Sequence, residues 1–151
     1  MNAHPILFRS LLIALIATSA APTALAASGQ HLVTDDGACQ LTVPANWKPL
    51  HIMGKLLKFH ANSPDGSAGA SISSDAPFSL AQVKQIAESS AKVTKVFEDT
   101  TRRLWIQITM SGATGTHWYV AVPGCHADIH FARPSQGATA KQIASSMQSV
   151  H

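Results

Sequence analysis

Residues 103–131 read RLWIQITMSGATGTHWYVAVPGCHADIHF, and apolar and polar side chains alternate along three parts of this stretch. Alternation with a period of two is typical of half-buried β-strands. Turn-forming sequence separates the three parts, at residues 111–115 and at Pro123 and Gly124. The stretch therefore predicts three consecutive antiparallel strands, over residues 103–110, 116–122 and 125–131.

The loop between the second and third strands predicts how these two strands pair. A loop of two residues sets Val122 opposite Cys125, since short hairpin loops fix the register. All apolar side chains of the pair then point to one side, and a slip of one residue would reverse this. On the other side, the predicted opposite pairs are His117 with His130 and Tyr119 with Asp128.

The first strand is placed by the loop at residues 111–115. If all five residues belong to the loop, Met110 lies opposite Thr116, and Ile106 lies opposite Val120. Trp105 then shares a sheet face with Tyr119. The polar and aromatic face predicted in this way displays eight side chains: Trp105, Gln107, Thr109, His117, Tyr119, His126, Asp128 and His130.

This face is the candidate functional surface. Aromatic side chains with polar tips favour interfaces, and the predicted binding surface for a protein or small-molecule partner consists of Trp105, Gln107, Tyr119 and His126. Directly opposite residues have Cβ atoms about 4.5–5.5 Å apart. His117, Asp128 and His130 could therefore hold a divalent ion such as Zn²⁺ or Cu²⁺. An ordinary solvated strand face, or a face half-covered by a helix, remains an alternative.

The rest of the chain predicts an α+β fold. Ser79 and Gln82 form a capping-box pattern at the start of a helix over residues 80–90. Apolar residues at helical spacing predict a final helix over residues 139–150. Shorter strands precede the first helix. The expected architecture is an antiparallel β-sheet meander with two α-helices packed on it.

The sequence also resembles PsbP-like domains. The resemblance rests on CQLTVPANWK at residues 39–48, on Pro64-Asp65-Gly66, on the capped helix after Phe78-Ser79-Leu80, and on a last helix that ends at Val150. It spans most of residues 27–151. It implies an antiparallel sheet with helices packed on it, and binding rather than catalysis. It assigns no functional residue.

Residues 1–26 have the pattern of a secretory signal peptide. Arg9 supplies positive charge, residues 10–18 form an apolar segment too short to span a bilayer, and Ala24-Leu25-Ala26 is a typical cleavage site. The expected mature protein is one domain over residues 27–151, periplasmic or secreted. We expect no membrane insertion after cleavage, because no later apolar stretch is long enough.

The two cysteines of the chain, Cys39 and Cys125, are expected to form a disulfide. An exported protein meets an oxidising compartment, where a pair of cysteines usually bridges. A metal-binding or catalytic thiol pair is the alternative.

Composition and motifs argue against several classes of function. The basic residues are scattered, so nucleic-acid binding is not expected. The sequence contains no phosphate-binding loop, nucleophile elbow or HExxH motif. We expect an exported, non-catalytic binding or accessory protein without a cofactor. The alternatives are a periplasmic protein that binds divalent metal through its His and Asp side chains, and a hydrolase of unrecognised type.

Overall fold

The computed structural model describes residues 29–75 and 78–150, so the predicted signal peptide lies outside the described residues. The described chain forms ten strands and two α-helices: β1 (Gly29–Val33), β2 (Cys39–Pro44), β3 (Lys48–Ile52), β4 (Lys55–Asn62), β5 (Ala68–Ser74), α1 (Leu80–Ser90), β6 (Lys92–Asp99), β7 (Leu104–Thr109), β8 (Thr116–Val122), β9 (Cys125–Phe131), α2 (Gly137–Ser145) and β10 (Gln148–Ser149). A short 3₁₀ turn, Pro134–Gln136, precedes α2.

The strands form two antiparallel sheets. The larger sheet has seven strands in the order β3-β4-β5-β9-β8-β7-β6, and the smaller has three in the order β1-β2-β10. The small sheet and α2 pack on one face of the large sheet, which we call the sandwich face. Helix α1 packs on the other, which we call the helix face.

The predicted α+β class with two helices on one sheet is wrong, because the fold is mainly β. Of the described residues, 51% lie in strands and 19% in helices. The two short helices lie on opposite faces of the large sheet, where Val83 of α1 and Ile143 of α2 belong to separate core clusters. The predicted last helix also stops early, since residues 148–149 pair with β2 as β10. The small sheet thus supplies much of the cover that the prediction gave to helices.

Two local predictions about structure are confirmed. Helix α1 spans Leu80–Ser90, and Ser79 and Gln82 form the reciprocal hydrogen bonds of a capping box. The disulfide joins Cys39 of β2 to Cys125 of β9, with a Cα–Cα distance of 5.8 Å. This bond fastens the small sheet to the centre of the large one. No helix in the described part of the chain is long and apolar enough to cross a bilayer.

The predicted pairing of β8 with β9 is confirmed. Val122 lies opposite Cys125, and Gly124 takes the positive φ, 80°, that this tight turn requires. On the helix face, the opposite pairs are His117 with His130 and Tyr119 with Asp128.

The predicted pairing of β7 with β8 is wrong by one residue. Ile106 lies opposite Tyr119, and Trp105 lies opposite Val120. Leu104, Ile106 and Ile108 therefore face α1, whereas Trp105 and Gln107 lie on the sandwich face. The apolar pattern did not specify this register, because β7 has apolar side chains on both sides and both sides are covered.

Candidate functional site

The helix face of the large sheet brings together most of the polar residues predicted to be functional. Strands β8 and β9 lie side by side at its centre. Five members of the predicted set lie on this face: His117, Tyr119, His126, Asp128 and His130. Helix α1 covers the side nearer β7, so the face divides into a covered part and an open part.

An Asp–His–Tyr cluster lies at the edge of the covered part. The Nδ1 atom of His126 is 2.6 Å from Oδ1 of Asp75, the residue that follows β5. The ring of Tyr119 stacks on the imidazole of His126, with centroids 5.0 Å apart. The amide of Asp75 donates to the carbonyl of Gly124, which fixes the carboxylate beside β9. The other carboxylate oxygen, Oδ2, is buried and has no hydrogen-bond partner among the described residues.

Above this cluster, a groove of about 220 Å³ opens between α1 and the sheet, and we call it the α1 groove. One wall is apolar and includes Val83 and Ile86 of α1, with Ile108 and Met110 from the sheet side. The polar lining consists of Ser90 of α1 and four residues on the sheet side: Asp75, Tyr119, His126 and Asp128. No lysine or arginine lines the groove in the described part of the chain.

The ionisation of Tyr119 reflects this environment. Burial raises the pKa of its phenol well above the usual value, and the negative charges of Asp75 and Asp128 raise it further. The phenol therefore remains a neutral hydrogen-bond donor on the polar side of the groove.

The part of the helix face that α1 does not cover carries a second group of histidines. The rings of His117 and His130 stack with centroids 5.8 Å apart. The Nδ1 atom of His117 is 3.7 Å from Oδ1 of Asp128, too far for a hydrogen bond. His60 lies in β4, which β5 separates from β9, and its Nε2 atom is 3.2 Å from Oδ1 of Asn62.

The surroundings of His130 favour the neutral form of its imidazole. Burial lowers the pKa of its imidazole, the charge of Asp128 opposes this, and His117 and His60 lower it further. The unfolded chain therefore takes up this proton at a higher pH than the folded one. The contribution of His130 to the free energy of unfolding is fully present above the unfolded pKa of about 6.5. It is lost as the pH falls through the lower pKa of the folded state.

We therefore expect His130→Gln to flatten the dependence of unfolding free energy on pH below about 6.5, where one proton contributes at most about 1.4 kcal/mol per pH unit. Urea denaturation at a series of pH values measures this. His51→Gln, at an exposed position in β3, is the matched control and should keep the wild-type slope. A His130→Gln slope equal to that of wild type would contradict the assignment.

The predicted metal ligands lie together, but they do not form a recognisable metal site. Across the described residues, no group of three or more His, Cys, Asp or Glu side chains is arranged to hold a metal ion. His117 and His130 stack on each other. Binding of Zn²⁺ or Cu²⁺ by His117, Asp128 and His130 stays a prediction.

Comparison with known proteins does not assign this chain to a family. No family model matches the sequence, and no curated protein matches it. The resemblance to PsbP-like domains therefore stays a prediction.

The predicted binding surface is divided between the two faces of the sheet. Tyr119 and His126 lie on the helix face, in the α1 groove. Trp105 and Gln107 lie on the sandwich face, where Gln107 Oε1 accepts a hydrogen bond of 3.3 Å from Trp118 Nε1. The Trp105 ring packs against Trp118 and Phe97, with centroids 5.2 and 5.0 Å away. These four residues therefore cannot form one continuous surface.

Sequence reasoning did not identify Asp75, and it gave a helix over this face only as an alternative, without assigning it to α1. Asp75 reaches His126 because β5 pairs with β9, with Ser74 opposite Cys125. That pairing joins segments about fifty residues apart, and no local pattern indicates it. The one available signal was a carboxylate directly after a strand of small residues, AGASISS.

Proposed function

We propose that this is an exported, non-catalytic binding protein, and that the α1 groove is its ligand site. The ligand that suits the groove is a small molecule with a cationic amino group and a short apolar tail. The observation that carries this proposal is Asp75, which lines the groove and whose Oδ2 atom is buried without a hydrogen-bond donor among the described residues. The disulfide between Cys39 and Cys125 supports the exported location.

The polar side of the groove favours a positive charge. Asp75 and Asp128 contribute carboxylates, and neither Lys nor Arg is present among the described lining residues to neutralise them. A partly buried carboxylate is costly without a compensating charge, and an ammonium group in the groove supplies that charge. Tyr119 adds the electron-rich face of an aromatic ring, which also attracts cations.

The apolar wall favours a tail on the same ligand. Ile86 of α1 is 49% exposed, although it borders the groove. Val83, Ile108 and Met110 continue the apolar surface. Covering such surface contributes roughly 25 cal/mol per Å², so a chain of several carbons adds measurable affinity.

Calorimetry with three probes of equal length tests this proposal: hexylammonium, hexanol and hexanoate. At neutral pH we expect hexylammonium to bind at least tenfold more tightly than hexanoate, because one charge is attracted by the carboxylates and the other repelled. Asp75→Asn should weaken hexylammonium binding by about tenfold. Asp35→Asn, an exposed carboxylate in the β1–β2 turn, is the matched control and should leave binding unchanged.

The pKa of Tyr119 reports whether the Asp75→Asn variant is folded and whether the charge beside Tyr119 has been removed. It is the single tyrosine of the chain, so the ultraviolet absorbance of phenolate reports this group alone. Asp75→Asn should lower the pKa of Tyr119, since one of the charges that raise it is removed. Equal affinity for hexylammonium and hexanoate, or full binding by a folded Asp75→Asn variant, would refute the proposal.

A further inference from the structure

The hairpin formed by β3 and β4 has an apolar tip that the fold does not bury. Ile52 is 50% exposed, Met53 is fully exposed at 100%, and Leu56 is 44% exposed. Met53 and Gly54 form the two-residue turn between Ile52 and Lys55, which lie opposite each other. Ile52 and Leu56 lie on opposite faces of the hairpin, with Met53 in the turn, so apolar surface is exposed on both sides of its end.

The backbone at this tip is unfavourable for the residue it carries. Met53 has φ of 50° and Gly54 has φ of 78°, the pair of positive values required by a type I′ turn. Asn, Asp or Gly normally occupies the first position, because an unbranched apolar residue gains no local hydrogen bond there. The exposed Met53 side chain makes no compensating contact in the core. Such strain indicates a use outside the fold.

The charge of the hairpin is entirely positive. Lys48, Lys55 and Lys58 lie in β3 and β4, and no Asp or Glu occurs from residue 37 to residue 64. In the described part of the chain, none of these lysines forms an ion pair. The hairpin thus combines an apolar tip with unpaired cationic flanks.

We propose that this hairpin docks the protein on the surface of a membrane that contains anionic lipids. The tip enters the boundary between headgroups and acyl chains, and the lysines contact lipid phosphates. Lys55, beside the tip, can bury its methylene stem while its ammonium group stays at the headgroup level. This is peripheral attachment, and it does not require a spanning segment.

A second copy of the chain is a less suitable occupant. Strand β3 is an edge strand of the large sheet. It contains Pro49, and its register with β4 shifts between Pro49 and Leu50. Proline, lysines and an irregular register are features that prevent an edge from pairing with another strand. The edge is therefore protected against strand addition, while its tip is left apolar.

Methyl NMR of the methionines tests the contact at atomic level. The protein is recovered after expression with export, and mass spectrometry determines its N-terminus. Nanodiscs of phosphatidylcholine with a quarter phosphatidylglycerol are added, with pure phosphatidylcholine nanodiscs for comparison. We expect the Met53 methyl signal to broaden and to become protected from a water-soluble paramagnetic agent with the anionic discs only. Met147, which is 4% exposed, is the internal control and should not gain protection.

Vesicle sedimentation with variants measures the affinity. Ile52→Asp should reduce binding to anionic vesicles by at least tenfold, whereas Val96→Asp, at a similarly exposed position (53%) in β6, should not. Lys55→Ala with Lys58→Ala should also reduce it about tenfold, and added salt should weaken it. Asn suits the first position of this turn, so the Met53→Asn variant should remain folded. It should bind anionic vesicles more weakly than the wild-type protein.

Three outcomes would overturn the proposal. They are equal protection of Met53 on both kinds of disc, equal binding by the Ile52→Asp and Val96→Asp variants, and a lipid-independent change of the Met53 signal with protein concentration. The last would identify a second copy of the chain as the occupant.

Discussion

Replacing Cys39 and Cys125 together by alanine should lower the free energy of unfolding by roughly 4 kcal/mol. The disulfide closes a loop with a sequence separation of 86 residues, and loops of this length give an upper estimate of about 4.6 kcal/mol from chain entropy. Both cysteines are buried, so removal of the sulfur atoms adds a small packing loss. Urea denaturation of the wild-type and double-variant proteins measures the difference.

Reduction provides an independent check on the same bond. Wild-type protein unfolded and refolded with dithiothreitol should have a urea midpoint close to that of the double alanine variant. A loss below about 1 kcal/mol in the variant would show that the denatured chain is already restricted. That result would contradict the stabilising role assigned to this bond.

Gly115→Ala should lower the free energy of unfolding by about 3 kcal/mol. Gly115 has φ of 87°, and a Cβ atom there would lie 2.8 Å from the carbonyl oxygen of Phe131. The strain of a positive φ costs about 1 kcal/mol. The clash adds about 2 kcal/mol, since a main-chain atom of β9 cannot turn away as a side chain can.

Gly112→Ala in the same loop separates these two effects. Gly112 has φ of 78°, but no atom lies within 4 Å of the position of an added Cβ. This variant should therefore lose only about 1 kcal/mol. Thermal and urea denaturation of both variants test the comparison. Equal losses of unfolding free energy would mean that the close approach of Gly115 to β9 does not affect stability.

The sequence predicted the strands better than their arrangement. The turn at Pro123 and Gly124 fixed the β8–β9 register, because a two-residue loop leaves one choice. The β7–β8 loop was ambiguous, since Trp105 on one side of β7 and Ile106 on the other are both packed. A register is specified by alternation only where one side faces water.

The end of the chain shows a second limit of local patterns. Met147 continues the apolar spacing of α2 and is buried, yet the helix ends at Ser145. Ser146 explains the difference, because its Oγ accepts a 2.8 Å hydrogen bond from the amide of Thr42 in β2. The following residues then pair with that strand. The helix therefore ends where Ser146 contacts Thr42, which is more than a hundred residues away in sequence. The spacing of apolar residues contains no information about such a contact.

The candidate site was predicted in part for the same reason. Tyr119, Asp128 and His126 were placed on one face because they follow from one well-determined hairpin. Asp75 and the α1 wall come from segments that meet this hairpin only through the β5–β9 pairing and the packing of α1.

The small sheet is assembled from distant parts of the chain, since β2 lies between β1 and β10. Residues 148–149 must therefore be synthesised before β2 acquires its second neighbour. Strands β1 and β2 can pair early as a local hairpin, whereas pairing over the long separation between β2 and β10 is slow. We therefore expect β10 to join the small sheet late in folding, after the hairpin of β1 and β2 has formed.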